Sequence, residues 1–313
     1  MILTVTVNPS VDRTVFLDAL TPGAVNRATR SRVEPSGKGI NVAVALSAHG
    51  AAVHAVLPIG GPTGTQLQQM LTATGLSATY VPIDGDIRTN ISLTQPDGSV
   101  TKINEAGPRL SIDEIDALLG EVTRHLDSAA WLVCAGSLPT GAPDDLYARM
   151  TTLAYRHNVP VAVDSSGAPL AACLPAKPGL IKPNTEELAE LAGVPMTTLG
   201  DVIDAAEILR GRGADTVLAS LGTDGAVLVD DEGALHGQAP VDRVVSTVGA
   251  GDAMLAGYLS AAASPRRQRL AVALQWGAMA VQHEGTLLSP GTSQPEASVT
   301  ESPDRARRLA ATP

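Results

Sequence analysis

From Ser111 onward, short apolar runs alternate with helical stretches, and this alternation limits the fold more than any other feature of the chain. Ser111 with Glu114 forms a capping box that opens a helix to about Leu126. Ala130 to Cys134 reads as a buried strand, Pro143 to His157 as a helix and Val159 to Val163 as a strand. Leu180-Ile181 leads through Lys182-Pro183-Asn184 into another helix, and Asp201 to Arg212 is the next. Thr216 to Ser220 is a strand with which Ala226 to Val229 pairs, and Leu270 to Glu284 is a long apolar helix. Strand and helix alternating at this spacing imply a mainly parallel sheet covered by helices on both faces. Asp12, Ser137, Asp164, Asn184 and Ser220 all fall at strand ends. That edge is where open α/β sheets bind ligands.

The first third of the chain is less regular. Leu3, Val5 and Val7 alternate with Thr4 and Thr6 as in a strand that stops at Asn8-Pro9-Ser10, with Asp12 just beyond. Val53 to Leu57 and Tyr80 to Ile83 read as strands, Gly60-Gly61-Pro62 as a turn and Thr65 to Thr74 as a helix. Thr14 to Leu17 and Ala28 to Val33 are β-like but too polar for a sheet centre. Arg88 to Ile103 forms a hairpin around Pro96-Asp97-Gly98. Strands from about 12–36 and 87–106 are therefore expected to build a small sheet that projects as a lid from a single domain spanning 1–313. The tail from Pro290 to Pro313 is rich in Ser, Pro and charge and is expected to pack loosely, with a last turn at Arg305 to Leu309.

Two glycine-framed helix starts carry the chemistry. The first is Ser36-Gly37-Lys38-Gly39-Ile40-Asn41, which sets Lys38 and Asn41 in an otherwise apolar first turn. The second is Ser246-Thr247-Val248-Gly249-Ala250-Gly251-Asp252, which runs into Ala253 to Leu259. The first N–H groups of a helix have no partner within it, and the helix dipole adds positive charge there, so this is an anion site. Asp252 in that turn could hold a hydroxyl while the N–H groups hold a developing phosphoryl charge. The same spelling also serves as a plain turn with a dipole-complementing carboxylate. A dinucleotide fingerprint is broken by Met254, and a P-loop by Gly39 after Gly37-Lys38.

Other classes lose ground on composition. A net charge of −10 over 313 residues leaves no basic footprint for nucleic acid. No run approaches the ~20 apolar residues of a membrane span, and the start of the chain lacks a signal-peptide pattern. Cys134 and Cys173 lack metal spacing and suit reduced thiols in a cytoplasmic protein.

Taken together, the two glycine motifs, Asn8-Pro9-Ser10-Val11-Asp12, Gly136-Ser137-Leu138-Pro139, Lys182-Pro183-Asn184-Thr185-Glu186-Glu187 and Ser220-Leu221-Gly222-Thr223-Asp224-Gly225 resemble the ribokinase-like carbohydrate kinases, the phosphofructokinase B family, over essentially the whole chain. Val25-Asn26-Arg27 and Gly37-Lys38-Gly39-Ile40-Asn41 are most similar to its phosphosugar branch, the 1-phosphofructokinases. Ser36 departs from the usual first Gly, and Ser246 from the acidic residue of ribokinase-type members.

The resemblance implies a ribokinase-like three-layer α/β sandwich with a small β-sheet lid. It implies phosphorylation of fructose 1-phosphate at O6 with ATP and Mg²⁺, and tagatose 6-phosphate or fructose 6-phosphate are alternative acceptors. Asp252 is the expected base, ionised with an ordinary pKa of ~4. Gly249, Ala250 and Gly251 frame the anion hole, to which the N–H of Asp252 also contributes. Asp12, Gly37 and Asn41 are expected at the sugar, and Arg27, Lys38, Arg88 and Ser137 at its phosphate. Asn184, Ser220, Gly222 and Gly225 are expected at the nucleotide, the 275–287 segment at the adenine, and Asn184 with Glu187 at Mg²⁺ through water. The expected partners are the phosphosugar, MgATP and a second copy in a homodimer, with no nucleic acid and no membrane. A catalytically silent sugar-phosphate sensor is the non-enzymatic alternative, and it would have no need for Asp252 with intact glycines.

Overall fold

The computed structural model describes residues 1–282, 285 and 295–310. The first half contains β1 (Ile2–Val5), β2 (Ser10–Phe16), β3 (Arg30–Ser36), α1 (Lys38–Ala48), β4 (Val53–Ile59), α2 (Gly61–Ala73), β5 (Ala78–Pro82), β6 (Arg88–Thr94), β7 (Val100–Asn104) and α3 (Ile112–Leu126). The second half contains β8 (Trp131–Ala135), α4 (Leu146–Arg156), β9 (Val161–Asp164), α5 (Gly167–Cys173), β10 (Leu180–Ile181), α6 (Thr185–Ala192), α7 (Leu199–Gly211), β11 (Thr216–Ser220), β12 (Ala226–Asp230), β13 (Gly233–Gln238), α8 (Ala250–Ser260), α9 (Arg266–Ala280) and β14 (Ser298–Thr300).

The main sheet runs β14-β13-β12-β11-β10-β9-β8-β1-β4-β5. It is parallel from β5 to β11 and antiparallel beyond. Strands β1 and β9 are buried throughout, as expected where helices cover both faces. Helices α1, α8 and α9 pack on one another on one side, and α3 to α7 pack in succession on the other. The expected three-layer α/β sandwich is therefore present. The second sheet has the order β3-β2-β6-β7, as expected for the small separate sheet.

The core is built of small aliphatic residues, which lets elements approach closely. A Cβ on Gly257 of α8 would lie 2.8 Å from the Val272 carbonyl oxygen and 3.0 Å from the Trp276 ring. Trp276 in turn stacks on His49 at the end of α1, with ring centroids 3.9 Å apart.

Some boundaries differ from those expected. Helix α2 begins at Gly61 rather than Thr65, because Gly60 supplies an extended N-cap and Pro62 suits a first helical turn. Helix α9 begins at Arg266, ahead of Leu270, and Glu284 lies outside the described residues. The tail expectation is corrected over 295–310. Strand β14 pairs with β13, and the Leu199, Gly200 and Leu309 amides bond to Arg307, Arg305 and Thr197 carbonyls at 2.9, 2.9 and 3.0 Å. Buried Val299 and Leu309, which packs on the core, anchor a segment whose composition reads as polar. The expected last turn is present at Asp304–Arg307, closed by a 3.1 Å bond.

Candidate active site

Helix α8 starts at Gly249, which has a φ of 80° and caps the helix without a side-chain bond. The Ala253 amide donates to the Gly249 carbonyl at 2.9 Å, and the Ala250 amide reaches Thr247 at 3.4 Å. Among the described residues, the Gly251 and Asp252 amides have no partner. Two aligned N–H groups therefore open the helix where its dipole is positive.

Asp252 is buried, with 6% of its surface exposed, and its Oδ2 accepts a hydrogen bond from Asn41 Nδ2 at 2.7 Å. Helix α1 brings Asn41 there because glycine lets it press on β1. A Cβ at Gly39 would stand 2.5 Å from Thr6 Oγ1 and 2.8 Å from the Val5 carbonyl oxygen. At Gly37, φ is 131° and a Cβ would meet Thr6 Cγ2 at 2.6 Å.

Beside this pair lies a charge cluster on the strand-end edge. Asp164, fully buried at the end of β9, holds Lys38 Nζ at 2.7 Å and Lys182 Nζ at 3.1 Å. Lys38 also lies 3.9 Å from Glu187 Oε1. A Cβ on Gly251 would be 3.0 Å from Lys182 Nζ, so that ammonium abuts the α8 N-terminus. Burial and the Asp164 charge push Asp252 up to about 6, against the opposing effects of Asn41, Lys38 and Lys182. Its carboxyl is thus not at the ordinary value expected from sequence, because the site is dry and shares a second carboxylate. Burial raises Asp164, but the two lysines outweigh it and hold the carboxyl below the ordinary range. Burial lowers Lys38, and Asp164, Glu187 and Asp252 more than offset this, so its ammonium stands above its ordinary value.

The small sheet carries other polar residues expected from the sequence. Asp12 and Asn90 are partners in the β2–β6 register, and Asn90 Nδ2 donates to Asp12 Oδ1 at 3.0 Å. Ser10 Oγ donates to the same oxygen at 2.8 Å. Arg88, at the start of β6, donates to the Asn8 and Glu105 carbonyls at 3.1 and 3.2 Å. Ser137 Oγ accepts from Asn8 Nδ2 at 3.4 Å. Arg27 lies apart in the exposed 17–29 connection and makes no hydrogen bond or ion pair with the described residues.

Further along the same edge, Asn184 and Glu187 close a capping box on α6, with bonds of 2.8 and 3.0 Å. Asn184 forms a parallel bridge with Ser220, whose amide donates to Pro183 at 3.0 Å. Gly222 and Gly225 flank the 3-10 turn that follows, both with positive φ. The turn is wedged so tightly that a Cβ on Gly225 would lie 2.0 Å from the Gly237 carbonyl oxygen. Within the 275–287 segment, the Val281 carbonyl takes the Val245 and Ser246 amides at 2.7 and 3.2 Å, tying α9 to the approach to α8. Residues 283, 284, 286 and 287 lie outside the described residues.

Three members of this constellation were not singled out from sequence. Lys182 stood in the Lys-Pro-Asn motif, Asp164 stood only as a strand end, and Asn90 stood as a hairpin residue. Their signal is positional: Asp164 is the last residue of β9, Lys182 directly follows β10, and Asn90 faces Asp12 across the β2–β6 pair of the small sheet.

Residues 5–292 match the model of the pfkB family of carbohydrate kinases. The chain is 36% identical over 260 residues to the 1-phosphofructokinase of Bacillus subtilis (strain 168), covering 83% of this chain and 85% of that one. It is 40% identical over 262 residues to the 1-phosphofructokinase of Haloferax volcanii, covering 83% and 84%. Its structure matches Escherichia coli phosphofructokinase-2 in complex with potassium with a TM-score of 0.87 and 32% identity, over 92% and 94% of the two chains. With that model matched over most of the chain and relatives at 36% and 40% identity over 83% of it, the chain belongs to the pfkB family of carbohydrate kinases.

Proposed function

We propose that the protein transfers the γ-phosphoryl group of ATP to O6 of fructose 1-phosphate, yielding fructose 1,6-bisphosphate and ADP. The observation that carries this is Asp252 set beside the unpartnered Gly251 and Asp252 amides. Asp252 takes the O6 proton as the O6–P bond forms and the bond from Pγ to the bridging oxygen breaks. A base near pH 6 is largely ionised at neutral pH and accepts a proton better than an ordinary carboxylate. The Gly251 and Asp252 amides and the Lys182 ammonium receive the charge on the transferring group. Asp12, Asn41 and Asn90 hold sugar hydroxyls. Of the expected phosphate contacts, Arg88 at the start of β6 lies beside the Asp12 row but spends two donors on carbonyls, Lys38 is paired with Asp164, and Arg27 would have to reach the phosphate from its exposed connection. Two relatives named 1-phosphofructokinase support the acceptor. The likeness to Escherichia coli phosphofructokinase-2, also solved in complex with fructose 6-phosphate, favours that sugar as the second reading.

ATP would lie along Asn184, Ser220, Gly222 and Gly225. The residues fit Mg²⁺ held through water: Glu187 Oε2 is spent on the capping box, and Oε1, a hard oxygen with only a loose 3.9 Å contact to Lys38, would face a metal-bound water. Among the described residues no group of three or more His, Cys, Asp or Glu side chains could hold a metal ion. When bound, Mg²⁺ would neutralise charge on the β- and γ-phosphates.

The small sheet acts as the lid of a single kinase domain. Its rows alternate between faces. Asp12, Glu34, Asn90 and Asn104 share one, and Val33, Arg13, Ile91 and Ile103 share the other, with Val33 and Ile103 36% and 50% exposed. A second copy pairing over that face would bury the exposed Val33 and Ile103 side chains, which supports a homodimer. ATP as donor and two free buried cysteines suit a cytoplasmic setting. No described helix is long and apolar enough to cross a membrane.

A coupled ADP-release assay at fixed MgATP tests the reading. The highest kcat/KM is expected for fructose 1-phosphate over fructose 6-phosphate, tagatose 6-phosphate and fructose. Preference for a 6-phosphate would replace the acceptor, and no turnover on any would overturn the reading.

A further inference from the structure

The turn at Gly222–Asp224 is held from two directions. From β13, His236 Nε2 bonds to the Asp224 carbonyl at 2.9 Å and Gln238 Nε2 donates to the Thr223 carbonyl at 3.3 Å. From the C-terminal segment, Arg307 Nη2 pairs with Asp224 Oδ1 at 2.8 Å, and the Ala310 amide donates to Oδ2 at 2.6 Å. Arg307 also closes the ring by donating from Nη1 to Gln238 Oε1 at 3.1 Å. Asp224 is 7% exposed, so both of its oxygens are spent in a largely dry setting where a forked guanidinium is strongly held.

The C-terminal segment that carries Arg307 is itself fastened. Strand β14 lies on β13, and the Arg305 and Arg307 carbonyls take the first amides of α7. The clasp therefore runs from the start of α7 through Arg307 to the turn after β11. A cavity of about 430 Å³, lined by Thr185, Leu221, Asp224 and Arg308 among others, opens beside the turn and gives it room to shift once the clasp is cut.

We infer that Arg307 is a positioning residue for the nucleotide, acting through Asp224 to fix the turn that carries Gly222 and Gly225. This rests on the reading of that turn as the nucleotide-binding loop. The site for the phosphosugar lies toward β2 and β6, outside the ring of contacts described for Arg307. The clasp should thus be felt in nucleotide binding and not in sugar binding.

The test compares the wild type with Arg307→Gln, Arg307→Lys and Gln238→Ala. KM for MgATP and for fructose 1-phosphate is measured in each, and ADP is titrated calorimetrically without sugar. For Arg307→Gln, a roughly five- to tenfold rise in KM for MgATP and in the ADP dissociation constant is expected, with KM for the sugar within twofold. Arg307→Lys keeps the charge but not the fork and should recover part of the loss. Gln238→Ala should move the nucleotide constants the same way by less, and it carries the test if Arg307→Gln does not fold. Unchanged ADP affinity, or equal losses for both substrates, overturns the inference. An inactive wild type that still binds ADP in an Arg307-dependent way removes the kinase reading and leaves this one standing.

Discussion

Asn41 Nδ2 donates to Asp252 Oδ2 at 2.7 Å, joining residues 211 positions apart and tying the start of α1 to the start of α8. The partner is a neutral amide rather than a cation. It orients the carboxylate without the full charge neutralisation a lysine at the same distance would bring. The lysines stand one step away, on Asp164.

Replacing Asp252 by Asn keeps the shape and removes the proton acceptor. The expected loss in kcat is about 10²–10⁴-fold, with little change in either KM. Steady-state kinetics checks this, and a kcat within fivefold of wild type would exclude Asp252 as the base.

Asp252 also makes activity and stability depend on pH in opposite senses. Activity needs the ionised form, so kcat/KM should fall as pH drops through about 6. Stability runs the other way. Between the unfolded value of 3.8 and about 6, the folded state holds a proton that the unfolded state has released, so this residue's contribution is lost as pH rises through that window. At pH 7, Asp252→Asn should therefore be more stable than wild type, by up to about 3 kcal/mol. Urea titrations of both forms at pH 5 and pH 7.5 would show the gap widening with pH if this is right.

Asp164→Asn strands two ammonium groups, one of them on the buried Lys182. Breaking such a pair typically costs about 3–5 kcal/mol. The freed lysine charges and the lost carboxylate would both draw the Asp252 pKa down. The acid limb of the pH–rate profile should move below that of wild type in whatever fraction remains folded. An acid limb that stays in place would show that the two carboxylates do not communicate.

A charge on the outer face of the small sheet tests the second copy. Ile103→Glu is expected to shift sedimentation from dimer to monomer without changing the thermal midpoint by more than ~2 °C, since the side chain is half exposed. A wild type already monomeric at micromolar concentration removes the dimer.

The layered fold was legible because its signals are local and repeated. The Asp97-Gly98 hairpin, the Ser111–Glu114 box and the apolar β8 and β9 each announce one element, and alternation assembles them. Asp252, Asn41 and the glycines that seat them were legible for the same reason. The Asp164–Lys38–Lys182 cluster was not. It unites three strand and helix ends that only the sheet order makes neighbours, and no spacing in the chain encodes it. The shift at Asp252 was hidden with it, because it arises from burial and from Asp164. The C-terminal clasp was hidden by composition: Val299 and Leu309 are two apolar anchors in a run of Ser, Pro and charge, and β-pairing to β13 can be seen only once β13 exists.

The stacking of Trp276 on His49 behind α8 has an optical consequence. The chain has only two tryptophans, and Trp131 sits at the start of β8, its ring against Gly179. Near-ultraviolet emission therefore reports on very few places, and one of them is the back of the helix whose first turn carries Asp252. Any tilt of α8 on ligand binding alters the packing of Gly257 against that indole, so its fluorescence serves as a label the molecule already carries.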